Sequence, residues 1–454
     1  MSTSIWHHPG AWRQMGLTCA LAFFIGGGAI ASTTTPVDDK PAADLLSMLK
    51  WAENTDPGLA SARLAVQADR DGIARARSGF LPQIVGSWVR ERSNVIQQDL
   101  PSLNYTQRRW QVSLSQTLFN WETWTSYRQS ELEQAKSAVR LSQAYQELFM
   151  KVATAYFGVL SAQEELMHID GYRDRLKQQL QHTEVRFGRG DATLIDMRDI
   201  QSAIDRQTVQ ASLIAGELQA RQLALEEYAS GPLPRIAPLR EDLEAPLMVP
   251  QDMASWVARA KRSNFDVQFQ LLEKKRARME TSKAQGAYLP TIGVSATHTP
   301  VGSYAHLPRT TTNTIMIQLN IPIFSGLDTV HRVRQTLTLE EKAGSDLERT
   351  ERNSAAAVRE TFVQLQTNRE RLRGLSDAVD SSRAALAANE VGYRIGGRSD
   401  SDILQARNSL FTVQRDLTRA RYDIILQGLR LKLLTASLEF EDVAAINGLL
   451  DRSN

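Results

Sequence analysis

The period of apolar and polar positions changes several times along the chain. In Gln111 to Phe119, Val112, Leu114 and Leu118 alternate with Gln111, Ser113, Ser115 and Thr117. In Thr314 to Phe324, Ile315, Ile317, Leu319, Ile321 and Ile323 alternate with Thr314, Met316, Gln318 and Asn320. A period of two is a strand with one oily and one wet face. Each is preceded by a second alternating stretch, so strands are expected over 83–95 and 107–119, and again over 291–302 and 312–324. The intervening segments are polar or carry Pro, as connecting loops do.

Elsewhere the apolar residues recur in heptads. Ala138, Tyr145, Val152, Val159 and Leu166 form one sevenfold series, joined by Leu141, Leu148, Ala155, Ala162 and Ile169. After a break at Gly188 and Gly190 the pattern resumes with Met197, Ile204, Ala211, Leu218 and Leu225. A second set, from Val358 to Tyr393, is broken at Gly396 and Gly397 and resumes from Ile403 to Leu438. Sustained heptads specify coiled-coil packing, and the Gly breaks turn each pair of helices into a hairpin. Proline agrees. None falls between Pro101 and Pro232 or after Pro322, and Pro costs about 3 kcal/mol inside a helix. Hairpins are therefore expected over about 120–229 and 326–440, with shorter helices near 59–80 and 266–287.

Three signatures recur in the same order in both halves. Phe80-Leu81-Pro82 matches Tyr288-Leu289-Pro290; Leu114 to Phe119 (LSQTLF) matches Leu319 to Phe324 (LNIPIF); and Phe187-x-x-Gly190 with Asp196 matches Tyr393-x-x-Gly396 with Asp402. The shared order means a tandem duplication. The expected organisation is a first repeat over 32–230, a Pro-rich connector over 231–250 and a second repeat over 251–454. The fold class is mainly α with a small β part.

Composition narrows the function. Lys and Arg number 53 against 51 Asp and Glu, leaving no basic footprint for nucleic acid. A mean hydropathy of -0.32 excludes a polytopic bundle of membrane helices. One long apolar run, Met15 to Ile30, follows Arg13 and precedes Ala31. It reads as a secretory signal over 1–31, cut after Ala31, with an uncleaved anchor helix as the rival reading. Its Cys19 is the only cysteine of the chain, so disulfides, thiolate metal sites and thiol nucleophiles are excluded from the mature protein. The seven His form no HExxH, and there is no GxSxG or P-loop. No enzyme activity, cofactor or metal is expected. Arg189-Gly190-Asp191 spells an adhesion tripeptide, but it lies in the helix break that the duplication requires.

Two-faced strands in a secreted chain fit a membrane barrel with a wet lumen. Four strands cannot close one, because the smallest barrels have about eight. Copies of the chain must therefore share it, and Trp88, Trp110, Trp121, Trp124 and Tyr304 at the strand margins suit interfacial belts.

From about Ala42 to Leu450 the chain resembles the TolC family of outer-membrane channel proteins. The resemblance is carried by Gly79 to Pro82 (GFLP), LSQTLF, LNIPIF, Arg186 to Asp196 (RFGRGDATLID), Gly392 to Leu404 (GYRIGGRSDSDIL) and the helix from Ala406 to Leu438. It implies a homotrimer in the Gram-negative outer membrane, with a shared 12-stranded β-barrel above a long periplasmic α-helical tunnel. It also implies partnership with a periplasmic adaptor and an inner-membrane pump or ABC transporter, in drug efflux or type I protein secretion. Family channels are narrowed at their periplasmic end by acidic rings, and by position Asp402 is the first ring member. The second acidic position is Gln405 here, a departure, with Asp400 as a candidate replacement on the far side of the helix. The closing latch is implied to involve Tyr393, Arg398 and Asp196. Ordinary helix-end chemistry is the competing account of all these residues. A periplasmic adaptor and a coiled-coil structural or adhesion protein are the alternative functions, although an adaptor would carry one hairpin and lacks paired two-faced strands.

Overall fold

The computed structural model describes residues 43–96, 102–229, 231–240, 252–302 and 308–451. The expected secretory signal, Tyr304 and part of the connector lie outside them.

Two short helices, α1 (Leu45–Thr55) and α2 (Pro57–Ser78), open the first repeat. Asp44 and Asp56 cap them through their carboxylates, and Pro57 starts α2 where its missing N–H costs nothing. Strands β1 (Gln83–Val95) and β2 (Leu103–Phe119) follow. Helix α3 (Trp121–Phe187) then runs for 67 residues, about 100 Å at the usual rise. Helix α4 (Leu194–Glu226) returns beside it for 33 residues. The second repeat has the same order: α5 (Met253–Ser263), α6 (Phe265–Gln285), β3 (Thr291–Val301), β4 (Thr310–Asn320), α7 (Asp328–Arg394) and α8 (Asp400–Leu434), with α9 (Phe440–Asn447) appended.

Several boundaries depart from the sequence reading. Helices α1 and α5 precede the expected short helices, each separated from its successor by a single capping residue, Asp56 or Asn264. Strand β2 begins at Leu103, earlier than 107. Strand β4 ends at Asn320 although the alternation runs on to Ile323, because Pro322 cannot donate to a ladder.

The four strands form one antiparallel sheet in the order β1-β2-β3-β4. The registers Ile84↔Leu114, Leu114↔Ala296 and Ala296↔Ile315 set one oily face. Gln83↔Ser115, Ser115↔Ser295 and Thr291↔Asn320 set the wet one. Edges β1 and β4 are both unpaired in the single chain.

The main core lies where α1, α3, α8 and α9 meet. Leu45, Met48, Val152, Phe157, Ile425 and Leu431 are all buried there. The connector is zipped into this girdle. Ala43 N–H donates to the Arg235 carbonyl at 2.7 Å, and Asp451 N–H to that of Pro238 at 2.8 Å. The buried Tyr156 hydroxyl donates to the Ala237 carbonyl at 2.9 Å. Connector and terminal segments are thus fastened to the long hairpins at mid-length.

Candidate functional site

The tips of the two hairpins are built alike, and the likeness reaches the hydrogen bonds. In the turn just past the end of each outgoing helix lies a Gly with positive φ, Gly190 at 84° and Gly396 at 77°, a conformation other residues adopt at a cost. Each tip closes on itself: Asp191 N–H donates to the Arg186 carbonyl at 2.9 Å, and Gly397 N–H to that of Gly392 at 2.8 Å. Each return helix starts with a capping box, Thr193 with Asp196 and Ser399 with Asp402. The box satisfies two of the free N–H groups at the helix start.

The capping role fixes Asp402. Its Oδ2 accepts from the Ser399 N–H at 2.8 Å and the Ser399 hydroxyl at 2.9 Å. The backbone N–H first, then the hydroxyl and the nearby Arg398, hold its carboxyl below the usual range. Its side chain stays 38% exposed. Gln405, one turn on, is exposed and shares that side of α8.

Asp400 faces the other way, as the roughly 200° between the two positions requires. It is buried, and its Oδ2 accepts from Arg186 Nη1 at 2.8 Å. Its charge is neutralised by Arg186 within the protomer, so the structure does not support it as a substitute for the acid missing at Gln405. The Arg186 guanidinium also lies 5.0 Å from the ring centre of Tyr393, donates to the Tyr393 hydroxyl, and donates to the Asp191 carbonyl at 2.6 Å. One arginine at the end of α3 therefore holds the end of α7, the start of α8 and its own loop.

A second link lies just behind. Arg407 of α8 donates to Gln179 of α3 at 3.0 Å and to Glu390 of α7 at 3.1 Å. Further along, Arg419 grips the buried Glu165 through Nε at 3.1 Å and Nη2 at 2.7 Å, and Tyr172 stacks on Phe411 at 4.8 Å.

The other two latch candidates stand apart. Asp196 is bound within its capping box, and its carboxylate reaches neither Tyr393 nor Arg398 in the protomer. Arg398 lies over Gly392, and among the described residues its one ionic approach is to Asp402, at 3.9 Å, with its side chain 56% exposed. Sequence reasoning misses Arg186, Gln179, Arg407 and Glu390. Arg186 leaves a signal, since it opens the motif RFGRGDATLID, and Arg407 lies in the family-like helix from Ala406 to Leu438. Among the described residues no cluster of His, Cys, Asp or Glu could hold a metal ion, and no helix is long and apolar enough to cross a membrane.

The family model described as "Outer membrane efflux protein" matches residues 48–231 and 256–437, one stretch in each repeat. The chain belongs to that family. It is an outer-membrane channel for export from a Gram-negative cell. The alternative readings as an adaptor or an adhesin give way to that match. Among sequence relatives, the chain is 27% identical to the alkaline protease secretion protein AprF of Pseudomonas aeruginosa, over 90% of this chain and 88% of that one. It is 25% identical to the outer membrane protein TolC of Vibrio cholerae, over 91% and 97%. Among solved structures, CusC superposes with a TM-score of 0.77 at 15% identity, over 87% of this chain and 92% of that one; at that identity the likeness speaks for the fold.

Proposed function

We propose that three copies of the chain assemble into the exit duct of a tripartite export system, passive in itself and closed at rest by its helix tips. The observation that carries this is a four-stranded sheet with an oily face and two open edges, joined to helices far longer than the sheet could cover. Open edges are costly in lipid, and β4 of one copy against β1 of the next removes them. The exposed Ile321, Ile323, Phe324 and Leu327 at the β4–α7 junction also call for covering by a neighbour.

A periplasmic adaptor and an inner-membrane pump or ABC transporter would complete the path and supply its energy. The relative AprF is named for protease secretion, which favours type I protein export over small-molecule efflux. In the trimer, three Asp402 carboxylates ring the lumen at the closed end. Arg398 and Asp196, uncommitted to each other within a protomer, link neighbouring hairpins, and Tyr393 braces each hairpin from inside.

Native mass spectrometry should give a trimer, and planar bilayers should show small, cation-preferring currents. A stable monomer with full β content would contradict the shared barrel, and a trimer without conductance would contradict the duct. Deleting the gene should abolish secretion of a protein substrate while leaving tolerance of small antibiotics unchanged; the reverse pattern would assign efflux instead.

A further inference from the structure

The oily face of the sheet carries a feature that the duct does not require. On β1 and β2 its outward residues run Ile84, Gly86, Trp88 and Leu114, Val112, Trp110, ending in the cross-strand pair Trp88↔Trp110. The next outward position, two residues or about 7 Å further along the strands, is a pair of arginines in register, Arg90↔Arg108. Arg92 follows on the same face. All three are exposed.

Like charges directly opposite on one face of a sheet repel, with Cβ atoms about 5 Å apart. The usual remedy is a neighbouring carboxylate. Glu91 is the one acid of the four strands; it points to the wet face and accepts from Ser93 at 3.1 Å. Asp99, in the connecting loop, lies outside the described residues. The three arginines show no ion pair or side-chain hydrogen bond among the described residues. The second hairpin ends at this level, where Gly302 N–H donates to the Arg108 carbonyl at 3.2 Å. Among the described residues the arginines therefore stand exposed on the oily face.

Their height fixes what can meet them. The strands join the helices at Gln83 and Phe119, so the hairpin loop is at the end away from the periplasm. Trp pairs sit at the lipid–water boundary, and a cation one step beyond is level with the headgroups. We propose that Arg90 and Arg108, with Arg92 behind them, bind the phosphate groups of a phosphorylated glycolipid of the outer leaflet. Guanidinium forks match phosphate oxygens in pairs, and one phosphate between two arginines turns the repulsion into a clamp. The apolar column beneath, down through Trp88, Val112 and Leu114, would receive the acyl chains. This rests on the reading that the oily face is turned to lipid.

The test uses the full-length protein as purified trimer, with lipid A in detergent as the probe, in phosphorylated and phosphatase-treated forms, followed by native mass spectrometry. The wild type should retain phosphorylated lipid A, up to one per protomer, at least about tenfold more tightly than the dephosphorylated form, as loss of charge-assisted hydrogen bonds implies. The Arg90→Gln, Arg108→Gln double variant should lose that preference, whereas Arg109→Gln, on the wet face, should keep it. Equal retention of both lipid forms by the wild type would overturn the site while conductance in bilayers kept the duct standing. So would a double variant that binds phosphorylated lipid A as the wild type does. A wild type that neither binds lipid nor inserts into bilayers would overturn the lipid-facing reading itself.

Discussion

Asp402 caps the start of α8, and the hydrogen bonds that hold its carboxylate in place also favour its charge. Its carboxyl lies below the usual range chiefly through the Ser399 backbone N–H. The charge is therefore kept at pH values where an ordinary Asp, near 3.9, begins to protonate. Cation preference in single-channel recordings should persist as pH falls towards about 4, and Asp402→Ala should weaken both that preference and block by multivalent cations. Unchanged selectivity in the variant would move the filter elsewhere. The hub on Arg186 calls for a different experiment. Removing one partner of a buried pair leaves the other uncompensated. With Arg186 still 36% exposed at its side chain, the loss is put at about 1–3 kcal/mol per protomer. Over three copies that is about 3–9 kcal/mol, a range that includes the roughly 5.5 kcal/mol that reverses a 99:1 population. An Asp400→Asn, Tyr393→Phe variant should thus conduct substantially more while remaining trimeric. Conductance equal to the wild type would show that closure does not depend on this hub. Tyr393 and Asp402 are legible in the sequence because they sit on a repeated motif at a helix break. Arg186 pairing with Asp400 is not, since the two are 214 positions apart and no periodicity reports such a meeting.

At the scale of elements, the long helices can be foreseen because proline is excluded from them and heptads fill them. Strand ends and the small helices are harder. Alternation alone cannot show that Pro322 stops β4, and the break at Asn264 is a single capping residue between two helices, whereas the break at Asp56 is marked in the sequence by Pro57 and Gly58. Tertiary packing also sets constraints that composition hides. A Cβ on Gly286 would lie 2.2 Å from Trp121 Cδ1, in a site where Trp121 Nε1 donates to the Ser282 carbonyl at 3.1 Å. Gly286→Val should separate α6 from the start of α3, at a cost of about 1–3 kcal/mol, measurable as a lower Tm. The α3–α8 seam should respond to pH through His168, which meets the Thr418 hydroxyl at 3.2 Å. Burial first, then Arg175, lowers its pKa from the usual value, and Arg421 acts the same way while Glu165 opposes. The unfolded chain takes up that proton first. Stability from the seam is therefore complete above about pH 6.5 and lost as pH falls through that value towards the lower folded one. Thermal melts between pH 7.5 and 5 should show the loss, and His168→Gln should flatten it. An unchanged slope would mean that the seam does not sense this proton.

For the whole molecule, the decisive feature is the pair of unpaired edges. Four two-faced strands by themselves require oligomerisation, since the rules of barrel closure are general. Which residues sit on the free edges is not legible in the same way, because strand order follows from registers between segments far apart in sequence. With the order β1-β2-β3-β4, β1 and β4 of one chain are separated by three strand spacings, about 14 Å, too far for a disulfide within that chain. In a Cys19→Ser background, Ser87→Cys on β1 can be combined in turn with Thr312→Cys, Thr314→Cys or Met316→Cys on β4, and oxidised in outer membranes. The shared barrel predicts that at least one combination gives covalent dimers and trimers on a denaturing gel, reversed by reductant. Monomer alone in all three combinations would contradict it.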